Sequence, residues 1–173
     1  MGIDIHAFVV DDINNTVVAS NILGFGYRNY DFFQKLQKDG SDPLYWNLPT
    51  EYMDDSDLPE SLKLEYEGCW GLRKMTLTAY NQWCWERRPW EKCGWVSKKD
   101  EYYYKYKGIL PEEVYDSTLD DPKGRPAEEF SFLVFQDNTD PFLYLSDILF
   151  KDLKLTKHGN NWDGYSFVYF FDC

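Results

Sequence analysis

Hydrophobic and polar positions at the start of the chain alternate with a period of two. Ile3, Ile5, Ala7 and Val9 fall on one face and Asp4, His6, Phe8 and Val10 on the other, which predicts a strand. The turn-forming run Asp11-Asp12-Ile13-Asn14-Asn15 ends it, and residues 16–20 read as the return arm of a hairpin. The period then changes. Phe32, Phe33 and Leu36 form a helical stripe that Asn29 or Asp31 can cap, with Lys35 and Lys38 near the C-terminal end and Gly40 as a stop. Residues 41–57 form a long polar loop containing Pro43, Pro49 and Asp54-Asp55-Ser56-Asp57. Pro59 opens a short helix through Leu62 and Tyr66. A further helix begins at Thr76, with Thr76 or Thr78 as cap; it carries Leu77, Tyr80, Trp83 and Cys84 on one side and stops before Pro89.

Beyond Pro89 the run Tyr102-Tyr103-Tyr104-Lys105-Tyr106 reads as an aromatic strand whose alternate members pack inward. Residues 111–114 read as a single helical turn and residues 120–126 as a surface loop. Residues 130–135 form an apolar strand, and Asp140-Pro141 opens a helix running to about Asp152. Lys157-His158-Gly159-Asn160-Asn161 is a tight connection, and residues 164–171 make the last strand. The sum is an α+β fold, a mixed or antiparallel sheet with helices packed mainly on one face. The first and last strands are expected at its centre.

At 173 residues the chain fits a single domain, 1–173, able to bury a core without disulfides or metal. Cys69, Cys84, Cys93 and Cys173 are irregularly spaced without a C-x-x-C pair, so free thiols are expected. No apolar run approaches the ~20 residues of a membrane helix and no signal segment is visible, which points to the cytosol. The net charge of −12 disfavours duplex nucleic acid and favours a partner with a basic surface. The charge is uneven. Residues 73–107 hold nine basic and four acidic side chains, the reverse of the flanking segments.

Two stretches carry candidate chemistry. Asp4 and His6, two apart on a strand and roughly 6.6 Å from each other, can converge on a divalent metal or bond locally; a zinc-like site needs at least a third ligand. The segment 83–107 interleaves aromatic and cationic residues, among them Trp85, Arg87, Arg88, Trp90, Trp95, Tyr103 and Lys105. Such interleaving suits a protein interface, a nucleotide ligand or bases stacked from a single strand, and it also suits plain core packing with lysines reaching outward. No phosphate loop, G-x-S-x-G or H-E-x-x-H motif is present, and no cysteine has a nearby histidine.

Met1-Gly2-x-Asp4-Ile5-His6, then Arg28-Asn29-Tyr30-Asp31-Phe32-Phe33, Leu58-Pro59 and Leu77-Thr78, with the closing aromatic strand 165–172, resemble a family of phage and prophage proteins. Its members begin Met-Gly-Cys-Asp-Ile-His, and no function is established for it. The resemblance covers the first half of the chain and its last strand. Ile3 stands where the family has Cys. Residues 69–76 lack the His-Ser-His-Ser stretch that would supply ligands beside Asp4 and His6, and the only other histidine is His158. The resemblance implies a phage protein acting in the host cytosol. With the acidic body and the aromatic segment, it leads to an inhibitor of a host antiviral defence protein, acting by protein–protein contact and needing no cofactor. The alternatives are a metal-dependent, phosphoesterase-like hydrolase centred on Asp4 and His6, degenerate in this chain, and a nucleotide-binding protein.

Overall fold

The computed structural model describes residues 2–37, 47–115, 127–155 and 162–173. Lys38, Gly40, Pro43, the loop 120–126 and His158 lie outside the described residues. The chain forms two compact units, Met1–Arg88 with Pro141–Cys173, and Pro89–Asp140.

The first unit is built on an antiparallel sheet. Strand β1 (Asp4–Asp11) pairs with β2 (Thr16–Ala19) on one side and with β7 (Tyr165–Asp172) on the other; β7 pairs with β4 (Trp70–Thr76), and β4 with the short β3 (Glu51–Tyr52). The order β2-β1-β7-β4-β3 puts the first and last strands together in the middle, as their apolar content predicts. Both are buried on both faces over most of their length. The turn after β1 is closed by Asp11, whose buried carboxylate accepts from the Ile13 and Asn14 amides and from Asn14 Nδ2.

Strand parity sorts the core into two layers. On one face Phe8, Val10, Leu72, Val168 and Phe170 pack with Leu58 and Leu62, beneath helix α2 (Glu60–Tyr66). On the other, Phe171 meets Phe33 of helix α1 (Tyr30–Gln37) edge to face, and the Tyr169 hydroxyl donates to the Leu36 carbonyl at 3.0 Å. Helix α3 (Leu77–Arg87) and helix α5 (Pro141–Asp147), which runs on into a wide turn over Ile148–Asp152, join that layer through Tyr80, Phe142 and Phe32. Three helices thus share one face and one lies on the other. Asn29 caps α1, its side-chain oxygen accepting from the Phe32 amide, and Thr76 caps α3 through the Ala79 amide. Arg88 takes a left-handed conformation at the end of α3, directly before Pro89.

β4 is absent from the sequence reading. Its alternation is broken at Gly71 (φ +69), where the register against β7 shifts between Trp70 and Arg73. The Phe171 ring lies over this glycine, and a Cβ there would come within 2.6 Å of it. The glycine hides the strand in the sequence and makes the close packing possible.

The second unit pairs β5 (Glu91–Ser97) with β6 (Phe130–Gln136) antiparallel. Helix α4 (Lys98–Lys107) covers one face, where Val96, Leu133 and Phe135 are buried with Tyr104 and Leu110 packed against them. The aromatic run expected as a strand is this helix. Capping decides it: the Ser97 hydroxyl accepts from the Asp100 amide, Asp100 and Glu101 sit in the first turn, Lys105 and Lys107 in the last, and Gly108 closes it with positive φ. Four such signals outweigh the strand preference of four tyrosines. Residues 111–114, expected as a helical turn, are not helical; Tyr115 exchanges backbone hydrogen bonds with Trp95 along the free edge of β5, which holds this stretch extended. Gly94 allows that approach, since a Cβ there would lie 2.4 Å from the Tyr115 carbonyl oxygen.

Candidate functional site

The register of three neighbouring strands gathers polar side chains at one end of the first unit's sheet. Asp4 on β1 lies directly opposite Asp172 on β7, and His6 opposite Phe170. Trp70 on β4 lies opposite Phe171, so Cys69, one residue earlier, reaches the same end as Asp172. His6, Asp172 and Cys69 each bring one donor atom within 4.8 Å of the others'. The His6 ring stacks on Phe170 at 5.2 Å between centroids, and Phe170 is held in turn by Phe8 and Tyr66. His6 Nε2 is buried and has no hydrogen-bond partner. The Cys69 thiol donates to the Glu65 carbonyl at 3.3 Å, and burial, with Asp172 and Glu65 adding negative charge, pushes its pKa up.

Asp4 has a different engagement. Arg28 Nε bonds its Oδ1 and Nη2 reaches Oδ2 at 3.4 Å, and the hydrogen bond holds the Asp4 carboxyl below the usual carboxylate range. Gly2 leaves room for this pair, because a Cβ there would come within 2.9 Å of Arg28 Cδ. The Asp4 and His6 pair read from the sequence is therefore divided: His6 converges with Cys69 and Asp172, and Asp4 with Arg28. Neither Cys69 nor Asp172 is visible as a partner in the sequence, since only the strand register joins residues so far apart.

The aromatic and basic segment is split between the two units. Trp85, Arg87 and Arg88 belong to the first, all exposed on the last turns of α3. Trp90, Trp95, Tyr103 and Lys105 belong to the second. Trp90 is half-buried, and its carbonyl accepts from the Asp137 amide. Trp95 packs its half-buried ring against the edge of Phe132, with its indole N–H buried and unbonded. Tyr103 is half-buried with Lys99 and Lys107 over its ring, at 5.7 and 5.0 Å. Lys105 is paired with Glu101 at 2.6 Å, and Glu101 also accepts from Ser131.

The helix exposes residues that the strand reading passed over. Tyr102 and Tyr106, one turn apart, hold their rings in contact at 4.9 Å with tilted planes and are 54 % and 75 % exposed. On the sheet face away from α4, Phe132 and Val134 are also about half exposed, beside Trp95 and Cys93. Helical periodicity applied to 98–107 would have found the tyrosine pair.

An open cleft of about 520 Å³ lies on the α2 face of the first unit, lined by Val10, Asp12, Met53, Lys74 and Val168 among others. Asp12 accepts from the Ser166 hydroxyl at 2.8 Å, and burial raises its pKa. Among the described residues no helix is long and apolar enough to cross a membrane. No family model, curated protein or solved structure matches the chain.

Proposed function

We propose that this is a binding protein whose second unit docks onto a partner protein. The observation that carries the reading is the exposed aromatic surface of that unit: the adjoining Tyr102 and Tyr106 on α4, with Phe132 and Val134 on its sheet. Large aromatic side chains left in solvent on a rigid helix are the anchors that protein interfaces use, because they bury much area while few torsions are frozen. Lys92 and Lys105 are paired with Asp137 and Glu101, and Lys99 and Lys107 lie over the Tyr103 ring, so four of the unit's lysines are engaged within it. This favours a protein partner over single-stranded nucleic acid or a nucleotide. The net charge of −12 steers encounter toward a partner with a basic surface. We further propose that this partner is a host antiviral defence protein, a reading that rests on the resemblance of the opening motif to phage proteins. A hydrolase centred on Asp4 and His6 finds less support, since Arg28 occupies the Asp4 carboxylate.

The test is affinity capture from bacterial lysate with the native chain and with the Tyr102→Ala/Tyr106→Ala variant, read by mass spectrometry, alongside phage plating on cells that express each. A defence protein retained by the native chain should be lost by the variant, with about 2 kcal/mol or roughly thirtyfold weaker binding. Equal capture by both, or no specific capture and no effect on plating, overturns the proposal.

A further inference from the structure

We propose that His6, Cys69 and Asp172 form a binding site for a zinc-class divalent cation at one end of the first unit's sheet. The inference is independent of the docking surface, which lies in the other unit.

Three features point to it. The first is convergence of donors: an imidazole nitrogen, a thiol sulfur and a carboxylate oxygen from three adjacent strands, all within 4.8 Å of one another. Zinc takes nitrogen at about 2.0 Å and sulfur at about 2.3 Å, so a tetrahedral site sets its donors roughly 3.3–3.6 Å apart. The 4.8 Å limit stands a little over an ångström above that spacing, a gap that the Cys69 and Asp172 side chains would have to close. The second is the vacant valence of His6. Its buried Nε2 lacks a hydrogen-bond partner, and a buried polar atom left unbonded is costly. Stacking on Phe170 fixes the ring, so the nitrogen is held in place rather than free to turn toward solvent.

The third is the donor chemistry. A nitrogen, sulfur and oxygen set is matched to zinc or a similar borderline metal; magnesium and calcium take all-oxygen sites. Three protein donors leave the fourth position to water. On binding, the Cys69 thiol gives up its proton, and with it the hydrogen bond to the Glu65 carbonyl; the metal–thiolate bond replaces that contact. Asp4 stays with Arg28 just outside the donor set, where the ion pair limits the negative charge at the site.

The test uses the full chain, freed of any purification tag. Zinc binding is measured by competition with a chromophoric chelator, and cobalt(II) is added as a spectroscopic probe. One equivalent of zinc is expected. Cobalt should give tetrahedral-type visible bands and a thiolate-to-metal charge-transfer band in the near ultraviolet. Cys69→Ser should abolish the charge-transfer band, and His6→Gln or Asp172→Asn should weaken zinc at least about tenfold, the loss found even for outer-sphere partners. Cys93→Ser and Cys173→Ser should leave both readouts unchanged, and circular dichroism confirms that each variant is folded. Failure to retain an equivalent of zinc, a charge-transfer band that survives Cys69→Ser, or one that disappears with Cys93→Ser overturns the assignment.

Discussion

The two units cover their sheets differently. In the first, β1 and β7 are enclosed by helices on both faces, and Phe8, Phe167, Tyr169, Phe170 and Phe171 are fully buried. In the second, α4 covers one face of β5 and β6, and the described core cluster is Val96, Leu133 and Phe135. Each fully buried large apolar side chain contributes about 1.5–3 kcal/mol, so among the described residues the first unit's sheet gains more from burial than the second's. Among the described residues, the other face of the second sheet leaves Phe132 and Val134 about half exposed. Stability and recognition surface are thereby assigned to different parts of one chain.

Three changes probe that division, beginning with the most severe. Phe167→Ala, in the middle of β7, should destabilise the first unit by about 3–5 kcal/mol in urea titration, by lost transfer energy and the cavity left behind. Native-state hydrogen exchange in the same variant should leave β5 and β6 amides at their original protection; equal loss in both units would erase the distinction. Gly94→Ala should cost about 2 kcal/mol and act on the second unit, because the new methyl meets the Tyr115 carbonyl and backbone must move. Faster exchange limited to β5, β6 and α4 is the expected signature.

The smallest effect concerns acid. Burial pushes the Asp137 carboxyl up, but Lys92 at 2.6 Å and the Thr139 hydroxyl and amide together bring it below the ordinary carboxylate value. A carboxyl whose folded pKa is depressed stabilises the fold above its unfolded pKa, and that contribution disappears as pH falls through the folded value. Tryptophan fluorescence from Trp90 and Trp95 should therefore report loosening of the second unit as pH drops below about 3.8, the unfolded value. Asp137→Asn should flatten that response, and an unchanged acid profile would remove the ion pair from the account.

Legibility in the sequence followed the range of the interactions. β1, its hairpin, α1, α2 and α3 could be read because their signals are local: a two-residue alternation, Asn29 and Thr76 at caps, Pro59 and Pro89 at boundaries. The apolar content of the first and last strands pointed to central positions in the sheet, but their pairing was not fixed by it. β4 could not be read, since Gly71 and the register shift interrupt its alternation, and α4 was obscured by tyrosines whose strand preference conceals well-formed caps. At the sheet end, His6 was visible from its neighbour Asp4, but the neighbour proved to belong to Arg28. Cys69 and Asp172 become partners of His6 only through strand register, which no local pattern encodes.

The order β2-β1-β7-β4-β3 also has a bearing on synthesis. β1 is made long before its main partner, β7, whose Asp172 lies opposite Asp4. Until then β1 has, among the described strands, the short β2 beside it, and the loop to be closed spans nearly the whole sequence, a topology associated with slow folding. A chain cut before β7 would leave β1 without its main partner and His6 without Asp172.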